Sequence, residues 1–246
     1  TITKLNADLD ADLSNISSGT ITAAFEDDGT FTGDLGSATV TVTDSKTMTA
    51  GYSVLNGKTI NHDGSESGQA LVIQITESDK AGDVGNVSGN IAKSISFTES
   101  QTFTGNVQSL TSTIENSVTV TAAADEFDAK TVNGAGQLTL TGTGTGGTDL
   151  SNISADILDI TGANLSAGVT FASTISSGDE IKATAAQVTG KTIAGAGVLT
   201  ISGTASDTNF SALTAAVVDV TAATLNGTSN FGSAIAEGDE FRFTAA

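Results

Sequence analysis

Short bursts of alternation recur along the whole chain: an apolar residue, any residue, a second apolar residue, then Thr or Ser. Clear instances are Val40-Thr41-Val42-Thr43, Ile73-Gln74-Ile75-Thr76, Ile95-Ser96-Phe97-Thr98, Val118-Thr119-Val120-Thr121, Leu138-Thr139-Leu140-Thr141 and Leu158-Asp159-Ile160-Thr161. The series continues through Ile181-Lys182-Ala183-Thr184, Leu199-Thr200-Ile201-Ser202, Val218-Asp219-Val220-Thr221 and Phe241-Arg242-Phe243-Thr244. Truncated versions stand at Ile2-Thr3 and Ile21-Thr22. Period-two alternation places successive side chains on opposite faces, so each burst predicts a short strand with one buried face. The stretches between bursts are rich in Gly, Ser, Asn and Asp, the residues of turns.

Spacing turns this pattern into an architecture. Measured on the Thr or Ser that closes each burst, the intervals are nearly constant, and the one long outlier runs from Thr43 to Thr76. A steady period of about 20 residues is the signature of one coil of a solenoid. Two further apolar stations follow each burst, one as in Thr184-Ala185-Ala186-Gln187-Val188, the other at Leu150, Phe171, Ile193, Phe210 and Phe231. The expectation is an all-β parallel β-solenoid (β-helix) with coils of about 20–23 residues and three short strands per coil. One coil cannot cover its own apolar column, but the next coil, roughly 4.8 Å along the axis, covers it and satisfies its backbone.

A longer copy lies over the short period. Lys130-Thr131-Val132-Asn133-Gly134-Ala135-Gly136 returns as Lys191-Thr192-Ile193-Ala194-Gly195-Ala196-Gly197, and Gly178-Asp179-Glu180 returns as Gly238-Asp239-Glu240. The pattern predicts a single continuous stack over residues 1–246, about a dozen coils, with an insertion around 44–70. If the bursts share one sheet, Val118/Val120, Leu138/Leu140, Leu158/Ile160, Ile181/Ala183, Leu199/Ile201 and Val218/Val220 form one inward column. The residues between them form an outward ladder in which Asp159 meets Lys182 and Asp219 meets Arg242. Thr1 opens the sequence within a strand motif and Phe241-Arg242-Phe243-Thr244 closes it within another, so a segment of a longer chain is expected.

Composition agrees with a narrow core. The 246 residues include 28 Gly, 10 Phe, one Tyr and no Trp, Pro or Cys, so few large side chains are available for a deep interior. Lacking Cys, the chain has no disulfide framework or thiolate metal site. Nine basic residues against 28 acidic give a net charge of −19, which repels phosphates and argues against nucleic acid or anionic lipid as partners. No apolar run reaches the ~20 residues of a helical membrane span, so no membrane insertion by a helix is expected.

Candidate chemistry is sparse. His62 is the single histidine, in Asn61-His62-Asp63-Gly64-Ser65-Glu66-Ser67, inside the long interval. An adhesin would carry its ligand specificity in that insertion, at 49–67. Asn6-Ala7-Asp8-Leu9-Asp10-Ala11-Asp12 sets Asp8, Asp10 and Asp12 at alternate positions, a candidate calcium site, although Leu13 stands where an EF-hand loop needs its glycine. A polysaccharide-processing β-helix enzyme would need acids and a base clustered on one outer face, while Arg242 is the only arginine and aromatics are few. No catalytic residue and no obligatory cofactor is expected. Asn15, Asn86, Asn152, Asn164, Asn209 and Asn226 each begin an Asn-x-Ser/Thr triplet, a frequent coincidence in a chain so rich in Ser and Thr.

With this coil pattern laid out, the chain resembles the Thr/Ala/Gly-rich, acidic, cysteine-free β-solenoid segments of large bacterial surface proteins, the S-layer proteins and filamentous adhesins. The resemblance covers the whole chain as a pattern and rests on composition and coil length. It implies a non-enzymatic structural role outside the cell or at its surface, in a lattice, fibre or stalk. Partners would be further copies of the same repeat, with calcium often involved in such families.

Overall fold

The computed structural model describes residues 2–5, 11–15, 22–64, 68–144, 147–165, 170–231 and 238–244. The fold is all-β, with stacked parallel strands forming a β-solenoid of about 10 turns. The chain divides into two compact units, Thr1–Thr113 and Ile114–Ala246.

In the first unit two parallel ladders run side by side in sequence. One joins Ile2–Leu5, Thr22–Phe25, Thr39–Val42 and Ile60–His62, and the other joins Gly29–Phe31, Thr47–Gly51, Ala70–Ile75 and Ala92–Phe97. This corrects the reading of 44–70 as an insertion, because Thr47–Gly51 and Ile60–His62 are regular rungs of these ladders. The long interval from Thr43 to Thr76 arises because its two bursts belong to different ladders: Val40 pairs with Ile60, whereas Ile73 pairs with Ile95. Both ladders alternate in burial, as in Ala70–Ile75, where Leu71, Ile73 and Ile75 are fully buried. Phe25 and Phe31 meet edge to face at 6.2 Å, and Phe97 and Phe103 do so at 5.2 Å.

The second unit shows the repeat most plainly. Leu138 pairs with Leu158, Leu158 with Ile181, Ile181 with Leu199, Leu199 with Val218 and Val218 with Phe241. The expected inward column is therefore present along these rungs, and Leu138, Leu140, Ile160, Ala183, Leu199 and Ile201 are all fully buried. At its start the register differs by two positions: Leu138 lies beside Val120 and Leu140 beside Ala122, so the rung is Val120/Ala122 and not Val118/Val120. Such a slip, being even, keeps every side chain on its own face, which is why both registers satisfy the alternation.

Corrected for that slip, the rungs fall at Val120, Leu138, Leu158 and Ile181, and then at Leu199, Val218 and Phe241. The three sequence intervals from Val120 to Ile181 recur in the same order from Ile181 to Phe241, each matching its counterpart to within one position. The copy seen in the sequence is thus a three-coil unit. Within it the sides of a coil meet at bulges instead of loops: Val132–Gly144 is one long strand whose register shifts between Gly134 and Gln137 and again between Thr139 and Thr141. Another side of the coil is carried by Asp149–Leu150, paired with Thr170–Phe171.

A short helical corner recurs three times. Tyr52–Leu55, Ala124–Phe127 and Ala185–Val188 each follow a strand and bury a residue at either end: Tyr52 and Leu55, Ala124 and Phe127, Ala185 and Val188. Each is followed by a residue with positive φ, Gly57 at 73°, Ala129 at 54° and Gly190 at 71°. The next amide then turns back: Lys58 N–H donates to Leu55 O at 2.9 Å, Lys130 N–H to Phe127 O at 3.2 Å and Lys191 N–H to Val188 O at 3.0 Å. At Ala185–Val188 a capping box closes the entry, with Thr184 N–H donating to Gln187 Oε1 at 2.7 Å and Gln187 N–H to Thr184 Oγ1 at 3.4 Å.

Candidate functional site

The charged ladder follows directly from strand register. Asp159 lies opposite Lys182, Lys182 opposite Thr200, Thr200 opposite Asp219, and Asp219 opposite Arg242, each on the outward face. Asp159 Oδ1 accepts from Thr161 N–H at 2.9 Å and Thr161 Oγ1 at 2.6 Å, and Asp219 repeats both bonds with Thr221 at the same distances. Those bonds from Thr221 hold the Asp219 carboxyl below its ordinary range, with Arg242 adding to the effect. The ammonium of Lys182 turns to Glu180 at 3.5 Å, and Glu180 also accepts from Thr200 Oγ1 at 2.5 Å.

Of the candidate calcium ligands, Asp8 and Asp10 lie outside the described residues. Asp12 bridges to Asp34 through the backbone, and its carboxylate accepts from Ser14 N–H at 2.9 Å, from Ser14 Oγ and from Asn15 Nδ2 at 3.3 Å. The bonds from Ser14 lower its pKa and form an Asx turn that uses the carboxylate locally. Among the described residues no three His, Cys, Asp or Glu side chains come together as a metal site. His62 is half-buried, its Nδ1 accepting from Gly64 N–H at 2.9 Å and its own backbone N–H donating to Asn90 Oδ1 at 3.1 Å. Residues 49–64 of the proposed adhesin stretch are strand, helical corner and strand, and 65–67 lie outside the described residues.

Two sizeable concavities remain among the described residues. One, of about 310 Å³, opens between Ile153–Ala155 and Thr174–Ser176, with Asp179 and Glu180 at its side. Burial raises the Asp179 carboxyl, opposed by a bond from Ser176 and reinforced by the charge of Asp156. Its lining offers hydroxyls together with the carboxylates of Asp179 and Glu180.

The other concavity, about 650 Å³, lies at the last rung of the second unit and is lined by Val220, Ala223, Leu225, Phe231, Phe241 and Phe243 among others. A chain of ring contacts builds it: Phe210 to Phe231 at 5.5 Å, Phe231 to Phe241 at 4.8 Å and Phe241 to Phe243 at 6.3 Å. Phe243 is 69% exposed, the one large apolar side chain so placed among the described residues. Beside the rings Arg242 grips Glu240 with two bonds of 2.9 Å, which holds the Glu240 carboxyl low. The strand Glu240–Arg242 pairs with Leu213–Asn226 and stands at the end of its sheet. Sequence reading placed Phe241 and Phe243 in an ordinary rung; their signal was bulk, since four of the 10 Phe fall between Phe210 and Phe243. No known protein family, characterised protein or solved structure matches this chain.

Proposed function

We propose that this chain is a non-enzymatic structural segment of an extracellular or cell-surface protein, building a lattice, fibre or stalk by stacking β-coils. The observation that carries the reading is the regular stack itself: from Leu138 to Phe241 each rung pairs in parallel with the next around one apolar column. In such a stack each coil is covered by its neighbours, so the architecture extends by adding coils. Support also comes from several charged side chains that serve the fold: Asp12, Asp159 and Asp219 cap turns, and Glu180 and Glu240 hold Lys182 and Arg242. The net charge of −19 keeps such a surface from associating sideways without specificity. Electron microscopy of the purified chain tests the reading. Rods, sheets or fibres are expected, and particles that stay single at every concentration would overturn it.

A further inference from the structure

Two neighbouring coils of the second unit part on one side only. Leu150 pairs with Phe171, and Leu158 pairs with Ile181. Between these rungs, residues 153–155 pair with 132–134 and Thr174–Ile175 pairs with Ala194 and Gly195, but no ladder among the described residues joins 153–155 to Thr174–Ile175. The path from Phe171 to Ile181 is two positions longer than that from Leu150 to Leu158, and it holds a turn in which Asp179 N–H donates to Ser176 O at 3.2 Å with Gly178 at φ 98°. The parting is the cavity of about 310 Å³. The same turn stands one repeat earlier, where Val118 N–H donates to Glu115 O at 3.1 Å; the next coil then bonds each turn alike, Gln137 N–H to Val118 O at 2.8 Å and Val198 N–H to Asp179 O at 3.0 Å. Asp179 thus holds the place of Val118, which is buried. A carboxylate where the repeat otherwise buries valine breaks the pattern of the fold, and such breaks mark sites that serve something besides stability. Burial raises this carboxyl, so its charge is a cost to the fold. One repeat later Asp239 and Glu240 return, but there the rings of Phe210, Phe231 and Phe241 leave only about 10 Å³.

The lining selects a class of ligand. Buried Ile153, Ala155 and Ile175 give the cavity an apolar inner wall, and exposed Ser154, Thr174 and Ser176 set hydroxyls at its rim. Asp179 and Glu180, with the charge of Asp156 close by, repel anions. A purely apolar ligand would strip water from these polar groups without replacing its hydrogen bonds. A pyranose meets both demands, laying C–H groups on the inner wall while its hydroxyls donate to a carboxylate and exchange hydrogen bonds with the rim. The volume stands at the lower end of the roughly 300–1,000 Å³ of small-molecule sites. We propose that this split between coils binds one neutral sugar ring, with Asp179 accepting from its hydroxyls, whether or not the chain also serves as the structural segment described above.

Amide-resolved NMR of the whole chain tests this, titrated in turn with glucose, galactose, mannose, N-acetylglucosamine and, as the anionic counterpart, glucuronate. At least one neutral sugar is expected to shift the amides of Ser154, Thr174, Ser176 and Asp179 saturably in the millimolar range, and glucuronate is expected to leave them in place. Shifts from none of the neutral sugars, or shifts confined to other residues, would overturn the proposal, as would glucuronate binding as well as glucose. Asp179→Val installs the residue of the preceding repeat, so its melting midpoint should not fall, while affinity for the sugar should drop by about tenfold or more with the charged acceptor gone. Unchanged affinity in that variant would overturn the role of Asp179, and if the variant fails to fold the glucuronate comparison still decides.

Discussion

Asp219 and Arg242, a full coil apart in sequence, stand side by side in space: they are register partners on neighbouring parallel strands, with Arg242 Nη1 3.8 Å from Asp219 Oδ2. The pair is half in water, and Arg242 also serves Glu240 at 2.9 Å. Solvent and salt screen such a contact. Arg242→Gln is therefore expected to lower the melting midpoint by no more than about 2 °C at low salt, and by nothing measurable in molar salt. A larger, salt-independent loss in differential scanning calorimetry would mean that Arg242 packs rather than pairs.

Carboxylates of this fold pull in two directions with pH. Asp219, held low by its bonds from Thr221, contributes stability that is complete above the unfolded carboxylate range, near pH 3.9, and is lost as pH falls through its lowered folded value. Asp179 is raised by burial, so the fold favours its protonated form: its penalty is absent below about pH 3.9 and complete once pH exceeds the raised folded value. Asp179→Asn is expected to raise the melting midpoint at pH 7 and to leave it unchanged at pH 3. Equal gains at both pH values in thermal melts would show that charge is not the cause.

How much of this was legible in the sequence depended on whether local alternation or stacking fixed the answer. The rungs from Leu138 to Phe241 were legible because each carries two apolar residues around one outward residue, and the pairing of Asp159 with Lys182 followed. The slip at Val120 was not, since Val118, Val120 and Ala122 alternate in one phase and only the coil above selects between registers. The rungs inside 44–70 were hidden because Ile60-Asn61-His62 has one apolar residue and Met48-Thr49-Ala50 closes on Gly51 without Thr or Ser. Side-chain identity alone does not tell a rung of one ladder from a rung of the other.

The central column responds as a packed core. Leu140 is fully buried beside Ala122 of the preceding rung. Leu140→Ala should cost about 2–5 kcal/mol, the lost transfer energy plus the cavity left between rigidly spaced coils. Chemical denaturation checks it through the midpoint at constant slope.

The helical corners offer a cleaner backbone experiment. Gly57 and Gly190 occupy the left-handed region with nothing within 4 Å of an added Cβ, whereas the third corner places exposed Ala129 at φ 54°. Strain is the whole difference between these sites. Ala129→Gly is expected to stabilise by about 0.5–1 kcal/mol and Gly190→Ala to destabilise by about 1 kcal/mol. Opposite signs in the two variants are the prediction, and equal signs in equilibrium unfolding would refute it.

The three-coil period makes its strongest demand on an excision. Gln137 lies beside Thr119, and Val198 lies beside Glu180, so Gln137 and Val198 occupy the same place one repeat apart. Removing residues 138–198 joins Gln137 to Leu199 and sets Leu199 beside Val120, where Leu138 stood, with Thr200 and Ile201 following Thr139 and Leu140. The Gly134-Ala135-Gly136 corner before the joint is untouched, and the next spacing, Leu199 to Val218, is already native. In a solenoid each coil contacts its neighbours alone, so loss of one whole repeat removes its own stability and interfaces while leaving the others whole. The shortened chain is expected to fold, to keep its β-sheet circular dichroism per residue and to unfold cooperatively with a smaller denaturant slope, in keeping with the smaller surface exposed. Removing 138–197 is the control. It leaves Val198 in the place of Leu138 and turns Leu199 and Ile201 outward, the single-position slip that exposes an entire apolar face. That variant should be much less stable than the first or fail to fold. If the two deletions behave alike in denaturant titrations, the rung register assigned to this repeat does not hold the fold together.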